Sequence, residues 1–382
     1  MRINRLLVCI FFIAAFLTGC ASPALTVVSS PVPPAVSPTR TPFLPATDTP
    51  APTVASATPT SPATETVTLT PTSTPTPPPS LQVNLAAVGD MMLARTVGDQ
   101  VLARGPEIVF AGVQSVLDSA DVLVGNLECA ITDGGERQLK SYTFAAPPET
   151  AQALALAGFD LLSLANNHAM DYGSQGLFDT RDNLGQSGIA SVGAGENSAQ
   201  AHAPVILERN GLRLAFLAYM DVPDENDGFD AHTWIATASQ PGVAWADLDQ
   251  ITADVAAARL QADVVVVLLH SGFEIKDVAP NQRAEAHAAI DAGAALVIGS
   301  HSHLLQDIEK YHGGLIAYSL GNFVFDEYLG IVNASIILRV LLTPAGVQSY
   351  DYVPVLIQNG LPVITTIDHA RGIETLVAPV AP

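Results

Sequence analysis

The chain has 382 residues, 48% hydrophobic and 14% charged, so it holds ample material for one large core or two smaller ones. Its formal net charge of −21 excludes non-specific nucleic-acid binding through a basic face and sets the surface at large against polyanions. Any anion it handles therefore needs a local positive centre, and a bound metal is the simplest one.

In chain order, residues 1–20 have the parts of a secretory signal: Arg2, Arg5 and an apolar run over 6–17 that is too short for an ordinary membrane span. Leu17-Thr18-Gly19-Cys20 resembles a bacterial lipobox, which implies cleavage before Cys20, acylation of its thiol and an extracytoplasmic domain anchored to the cell membrane. Residues 21–80 hold 16 of the 28 prolines, with many Thr, Ser and Ala. Such a composition buries no core and reads as a disordered, extended linker, reaching on the order of 100–200 Å at ~3 Å per residue. One folded domain is expected over 81–367, followed by a loose tail over 368–382. Cys9, Cys20 and Cys129 offer no disulfide framework, and Cys129 reads as a small buried residue.

Within the domain, strand-like runs fall at 84–88, 122–124, 161–165, 212–219, 263–269, 295–298 and 315–319. Helical spacing falls at 107–120, 147–157, 174–187, 249–261 and 280–292. This alternation predicts an α/β fold with largely parallel strands, and 331–342 and 352–358 read as an antiparallel pair. Residues 221–242 are acidic and aperiodic, a loop long enough to be a candidate lid.

Five strand-like runs end in ligand-type residues: Asp90; Asn126 with Glu128; Asn167 with His168; His270; and His301 with His303. In open α/β sheets, sites form beyond the carboxyl ends of the strands, so these residues can surround one pocket. Carboxylate, amide and imidazole together suit a divalent metal of the Mn, Fe or Zn type. An extended 301–303 segment projects both imidazoles the same way; an irregular loop lets them serve different metals. Each residue alone has a bland reading: Asp90 as a turn residue after glycine, Glu128 as a solvated carboxylate, His168 as a capping or core histidine. His202, His232, His287, His312 and His369 lack this context and read as structural or surface residues.

The motifs G-D-M-M, G-N-L-E, A-N-N-H-A-M-D-Y-G, H-S-G-F-E, G-S-H-S-H and Y-S-L-G-N-F-V-F-D occur in that order over roughly residues 83–326. The set resembles the CapA-type poly-γ-glutamate capsule biosynthesis proteins of the calcineurin-like metallophosphoesterase superfamily. The resemblance implies a four-layer α/β/β/α sandwich with two divalent metal ions. It implies Asp90, Glu128 or Asn126, Asn167, His270, His301 and His303 as ligands. His168 is then the proton donor to the leaving group and Asp171 its orienting partner. Asn166 shapes the turn, and Glu274 is a ligand or a residue supporting one. Met92 stands where the superfamily has a histidine ligand, Ser271 where the family often has Trp, and Ser300 and Ser302 where it commonly has His and Pro. The implied function is a surface-tethered metal-dependent hydrolase, phosphoesterase-like, in synthesis, export or anchoring of an anionic capsular polymer, working with capsule-synthesis machinery. A non-catalytic metal-dependent polymer-binding component and a γ-glutamyl amide hydrolase or transferase are the alternatives.

Overall fold

A computed structural model of the protein describes residues 81–224, 228–327 and 331–366. The expected signal, Cys20, the linker, His369 and the tail lie outside the described residues. Among those described, strands form an eight-stranded and a six-stranded sheet, with two small pairs besides, and helices connect them in a mixed α/β fold. The first sheet runs Leu361–Ile364, Gly346–Gln358, Ala334–Thr343, Val83–Met91, Val122–Leu127, Leu161–Ser163, Ala190–Val192, and Asn322–Val324 pairs beside Val83–Met91. The second runs Ile308–Tyr311, Gly314–Ala317, Leu296–Ser300, Val264–Ser271, Leu212–Asp221, Val205–Arg209. Its four inner strands are parallel and its two edges antiparallel.

The strand Val264–Ser271 shows why the sequence folds this way. It is buried from end to end, as a parallel strand covered on both faces must be. Val264, Val266 and Leu268 join a core shared with Leu85, Val124 and Ile337 of the first sheet. Val265, Val267 and Leu269 point the other way, to Ile251 and Val255 of helix Leu248–Ala258 and Ala286, Ala289 and Ile290 of helix Pro280–Asp291. Each such buried side chain contributes roughly 1.5–3 kcal/mol of transfer free energy. The two sheets thus share one core, and two helices cover the second sheet's other face. Ala334–Thr343 and Gly346–Gln358 pair antiparallel, as the absence of a helix between them predicts.

Two expectations need correction, and one helix goes unread in the sequence. Residues 107–120 do not form one helix: they hold a 3-10 turn at Pro106–Ile108 and a single turn at Gln114–Leu117. Between them, a Cβ on Gly112 would lie 2.6 Å from the Pro362 carbonyl, so the chain is pinned there against a neighbour. The helix Arg95–Arg104 gives little sign of itself in the sequence because it lacks a side-chain cap and carries Gly98 inside; it is held by Val97 and Val101 on one buried face. The pair Gly89-Asp90 suggests a turn closing the first strand, yet that strand runs on to Met91. Gly89 is there because a Cβ would meet the Gly321 carbonyl at 1.9 Å, not because the chain turns.

Register then aligns the strand ends. Asp90 lies opposite both Asn126 and Asn322, and Asn126 lies opposite Ser163. In the second sheet His270 lies between Met220 and Ser300.

Candidate metal centre

The structure brings Asp90, Asn126, Glu128, Asn166, Asn167, His168, Asp171, His270, His301 and His303 together at these strand ends. All are buried except His303, which is partly so. Their donor atoms fall into two groups. In one, ligand atoms of Asp90, Glu128 and His303 all lie within 4.8 Å of one another. His303 Nδ1 is 3.6 Å from Asp90 Oδ2, and its Nε2 is 3.8 Å from Glu128 Oε1. In the other, His270 Nε2 stands 3.0 Å from Asn167 Oδ1 and 3.1 Å from His301 Nδ1.

The loop, not an extended strand, makes this division. His301 has φ 88 and His303 φ 56, left-handed values uncommon for residues with a side chain. Such conformations cost on the order of 1–3 kcal/mol and persist where surrounding structure imposes them. Here the His301 amide donates to Asp90 Oδ2 at 3.2 Å, and Gly299 lets the strand approach so closely that a Cβ would sit 1.9 Å from the Tyr318 carbonyl. The two imidazoles consequently face different groups, with ring centroids 6.3 Å apart.

Asn126 is a brace. Asn166 donates through Nδ2 to the Leu127 carbonyl at 2.8 Å and to Asn126 Oδ1 at 3.0 Å, while its Oδ1 accepts from the His168 amide. Those backbone partners fix both amides. Asn126 therefore turns its Nδ2 to Asp90 Oδ1 at 2.8 Å and Glu128 Oε2 at 3.3 Å. Its Oδ1 already accepts from Asn166, so of the Asn126–Glu128 pair it is Glu128 whose Oε1 is left without a hydrogen-bond partner. Asn166 does more than shape a turn, since it orients both Asn126 and the chain at His168. Glu274 does not join the buried set; it is exposed and lines a cleft of about 410 Å³ above it.

The electrostatics suit a cation-binding site. Burial and the nearby Asp90 carboxylate push the Glu128 carboxyl well above its ordinary range. Burial raises Asp90 as well, against the lowering pull of His303 and Asn126. Burial and neighbouring imidazoles hold His270 and His301 well below 6.5, hence neutral with lone pairs to offer. Glu128 Oε1 and His301 Nε2 are buried without a hydrogen-bond partner, one in each group. Unpaired buried polar atoms of this kind are rare and costly. Divalent cations fit this donor set of carboxylates, an amide oxygen and neutral imidazoles.

Beside the groups, His168 Nδ1 and Asp171 Oδ2 are 2.7 Å apart, and Asp171 Oδ2 also accepts from the Phe144 amide at 2.7 Å. Phe144 lies against the imidazole at 4.2 Å between centroids. Sequence reasoning misses Lys140. Its ammonium lies 3.2 Å from Asp171 Oδ1 with no side-chain exposure at either residue, and it donates to the Asn167 carbonyl at 2.5 Å. The rings of Phe229 and Trp234, from the acidic loop, each stand 4.9 Å from it. A lysine in a turn-rich stretch gives no signal of burial, because lysines are almost never fully buried unless paired. The remaining described histidines pair with carboxylates elsewhere: His202 with Asp254, His232 with Asp230, His287 with Glu309, His312 with Asp291. Burial pushes the Cys129 thiol up to about 12, so it is not a nucleophile.

Comparison with known proteins agrees with the motif order. The chain is 35% identical over 301 residues to the capsule biosynthesis protein CapA of Bacillus anthracis, covering 76% of this chain and 72% of that one. It is 34% identical over 280 residues to the PGA biosynthesis protein CapA of Bacillus subtilis (strain 168), covering 72% of each. The crystal structure of a hypothetical protein from Thermus thermophilus overlays with TM-score 0.41 and 17% identity, over 74% of this chain and 97% of that one, too slight a likeness to carry any part of the reading. The family model for the bacterial capsule synthesis protein PGA_cap matches residues 84–327, and the chain belongs to that family.

Proposed function

We propose that the protein is a metal-dependent hydrolase of phosphoesters or a related bond, serving synthesis, export or anchoring of a capsular polymer such as poly-γ-glutamate. The observation that carries this reading is the pair of donor groups, each with an orphaned buried atom, beside a His–Asp pair. Asp90, Glu128 and His303 would hold one ion, and Asn167, His270 and His301 the other. When bound, ions of the Mn, Fe or Zn type supply Lewis acidity and a water acidified towards neutrality. Asp171 engages Nδ1 of His168, so Nε2 is the nitrogen that delivers a proton to the leaving oxygen. Lys140 and the Phe144 amide hold Asp171 in that post. The two packed sheets with flanking helices accord with the four-layer metallophosphoesterase sandwich. Tethering through Cys20 belongs to the same proposal; no helix among the described residues is long and apolar enough to cross a membrane.

A second reading, a non-catalytic component that binds polymer through metal, is favoured by Met92, a fully buried thioether where the superfamily has a histidine ligand. Metal content and turnover of p-nitrophenyl phosphate, bis-p-nitrophenyl phosphate and γ-glutamyl peptides separate the two. The hydrolase reading expects metal-dependent turnover of a phosphoester, with metal lost in Asp90→Ala and His303→Ala. Tight metal binding without phosphoester turnover gives the second reading, or, if only the γ-glutamyl peptides are cleaved, an amide hydrolase. A wild-type chain that retains no divalent metal refutes the metal centre itself.

A further inference from the structure

The cleft above the centre has a lining that bears on its substrate. Asn167 and His301 form its metal-facing part, and Tyr142, Val222, Pro223 and Phe273 supply apolar surface beside them. Tyr142 is 62% and Phe273 46% exposed, and they are the exposed large aromatic side chains among the described residues. Leu139, 96% exposed, and Ile275, 49% exposed, extend the same two loops. Large apolar side chains left in water and clustered at one site mark a surface that something covers. The Arg95 guanidinium, paired with Asp326 at 2.9 Å, stands 5.9 Å from the Tyr142 ring. The charges in the lining are few: Lys276 stands with Asp224 and Glu274. A polyanion threading this cleft meets more negative than positive charge on its walls.

We propose that the cleft takes an amphiphile, a single phosphate head group carried on a long apolar chain, with the head at the metal centre and the chain along Tyr142 and Phe273. This rests on the metal-centre reading for the head group, while the exposed apolar loops carry the chain. The binding of ethyl phosphate and of decyl phosphate, kept below its micellar concentration, to the manganese-loaded full chain tests it by calorimetry. Decyl phosphate is expected to bind at least about tenfold more tightly (~1.4 kcal/mol), the burial of roughly two methylene groups. The Tyr142→Ser/Phe273→Ser double variant should cost decyl phosphate at least about fivefold more affinity than it costs ethyl phosphate, on the same reasoning. Equal affinities, or a chain-length preference that survives the double variant, overturn the proposal. So does co-sedimentation of the protein with neutral phosphatidylcholine vesicles that the double variant abolishes, because the rim is then a membrane contact. Chain-length discrimination without hydrolysis of any phosphoester leaves this proposal standing and removes the hydrolase reading instead.

Discussion

Lys140→Met is the sharpest probe of how the site is held. The substitution keeps the volume of an aliphatic stem and deletes one buried ammonium. With it go the 3.2 Å pair with Asp171 Oδ1, the hydrogen bond to the Asn167 carbonyl and the charge facing the Phe229 and Trp234 rings. Breaking a buried ion pair by removing one partner costs about 3–5 kcal/mol, because a charge is left unpaired. Asp171 keeps the Phe144 amide and His168 at 2.7 Å each, which offsets part of that loss. A net destabilisation of about 3 kcal/mol follows, measurable as a lower midpoint in urea unfolding at unchanged slope. In Lys140→Met/Asp171→Asn the orphaned charge is gone, so the double variant should be more stable than the sum of the singles by at least about 1.5 kcal/mol. A loss below about 1 kcal/mol, or additive singles, would show that the ammonium does not support Asp171.

Other outcomes follow from the same geometry. His168→Asn should lower phosphoester turnover by about 10²–10⁴ with metal content unchanged, as expected for a proton donor outside both ligand groups; parallel loss of metal would place it among the ligands. Gly299→Ala should destabilise by about 4 kcal/mol or more and forfeit metal binding, since its Cβ meets the Tyr318 carbonyl at 1.9 Å; a soluble variant with unchanged Tm refutes the close approach. Glu285 is pushed up to about 9 by burial and by neighbouring Asp221, against the hydroxyl of Ser271 at 2.5 Å. Its folded form is the neutral acid, so its contribution is complete below pH 4.5 and is lost as pH rises from there to about 9. Glu285→Gln should therefore flatten the decline of unfolding free energy between pH 5 and 9 and stabilise the protein at pH 8, and curves that stay parallel to wild type count against it.

Much of this is legible in the sequence, for identifiable reasons. Val264 to Leu269 announces itself by six consecutive apolar residues, and Pro280 by its place at the start of a helix. Asp90, Glu128, Asn167, His270, His301 and His303 stand out because each interrupts or closes an apolar run. What stays hidden depends on contacts between distant segments. No local pattern tells that Lys140 is buried against Asp171, or that Gly112 is pinned by Pro362. The same holds for Asn126. Its residue type fits a ligand, and only the fold shows that its oxygen accepts from Asn166, itself held by the Leu127 carbonyl and the His168 amide.

The division of labour between the two sheets explains how so polar a centre can be buried in a protein of this composition. Each sheet contributes to both donor groups: Asp90 and Glu128 from the first meet His303 beyond the second, while His270 and His301 meet Asn167. Neither sheet could bury its share alone, because each half leaves polar atoms that only the other half, or a cation between them, can satisfy. The shared core of Leu85, Val124, Val266 and Ile337 joins the two sheets and so sets the spacing of those donor side chains. Substitutions that merely thin this core should therefore loosen metal binding before they unfold the chain, since ligand geometry tolerates less displacement than apolar packing does.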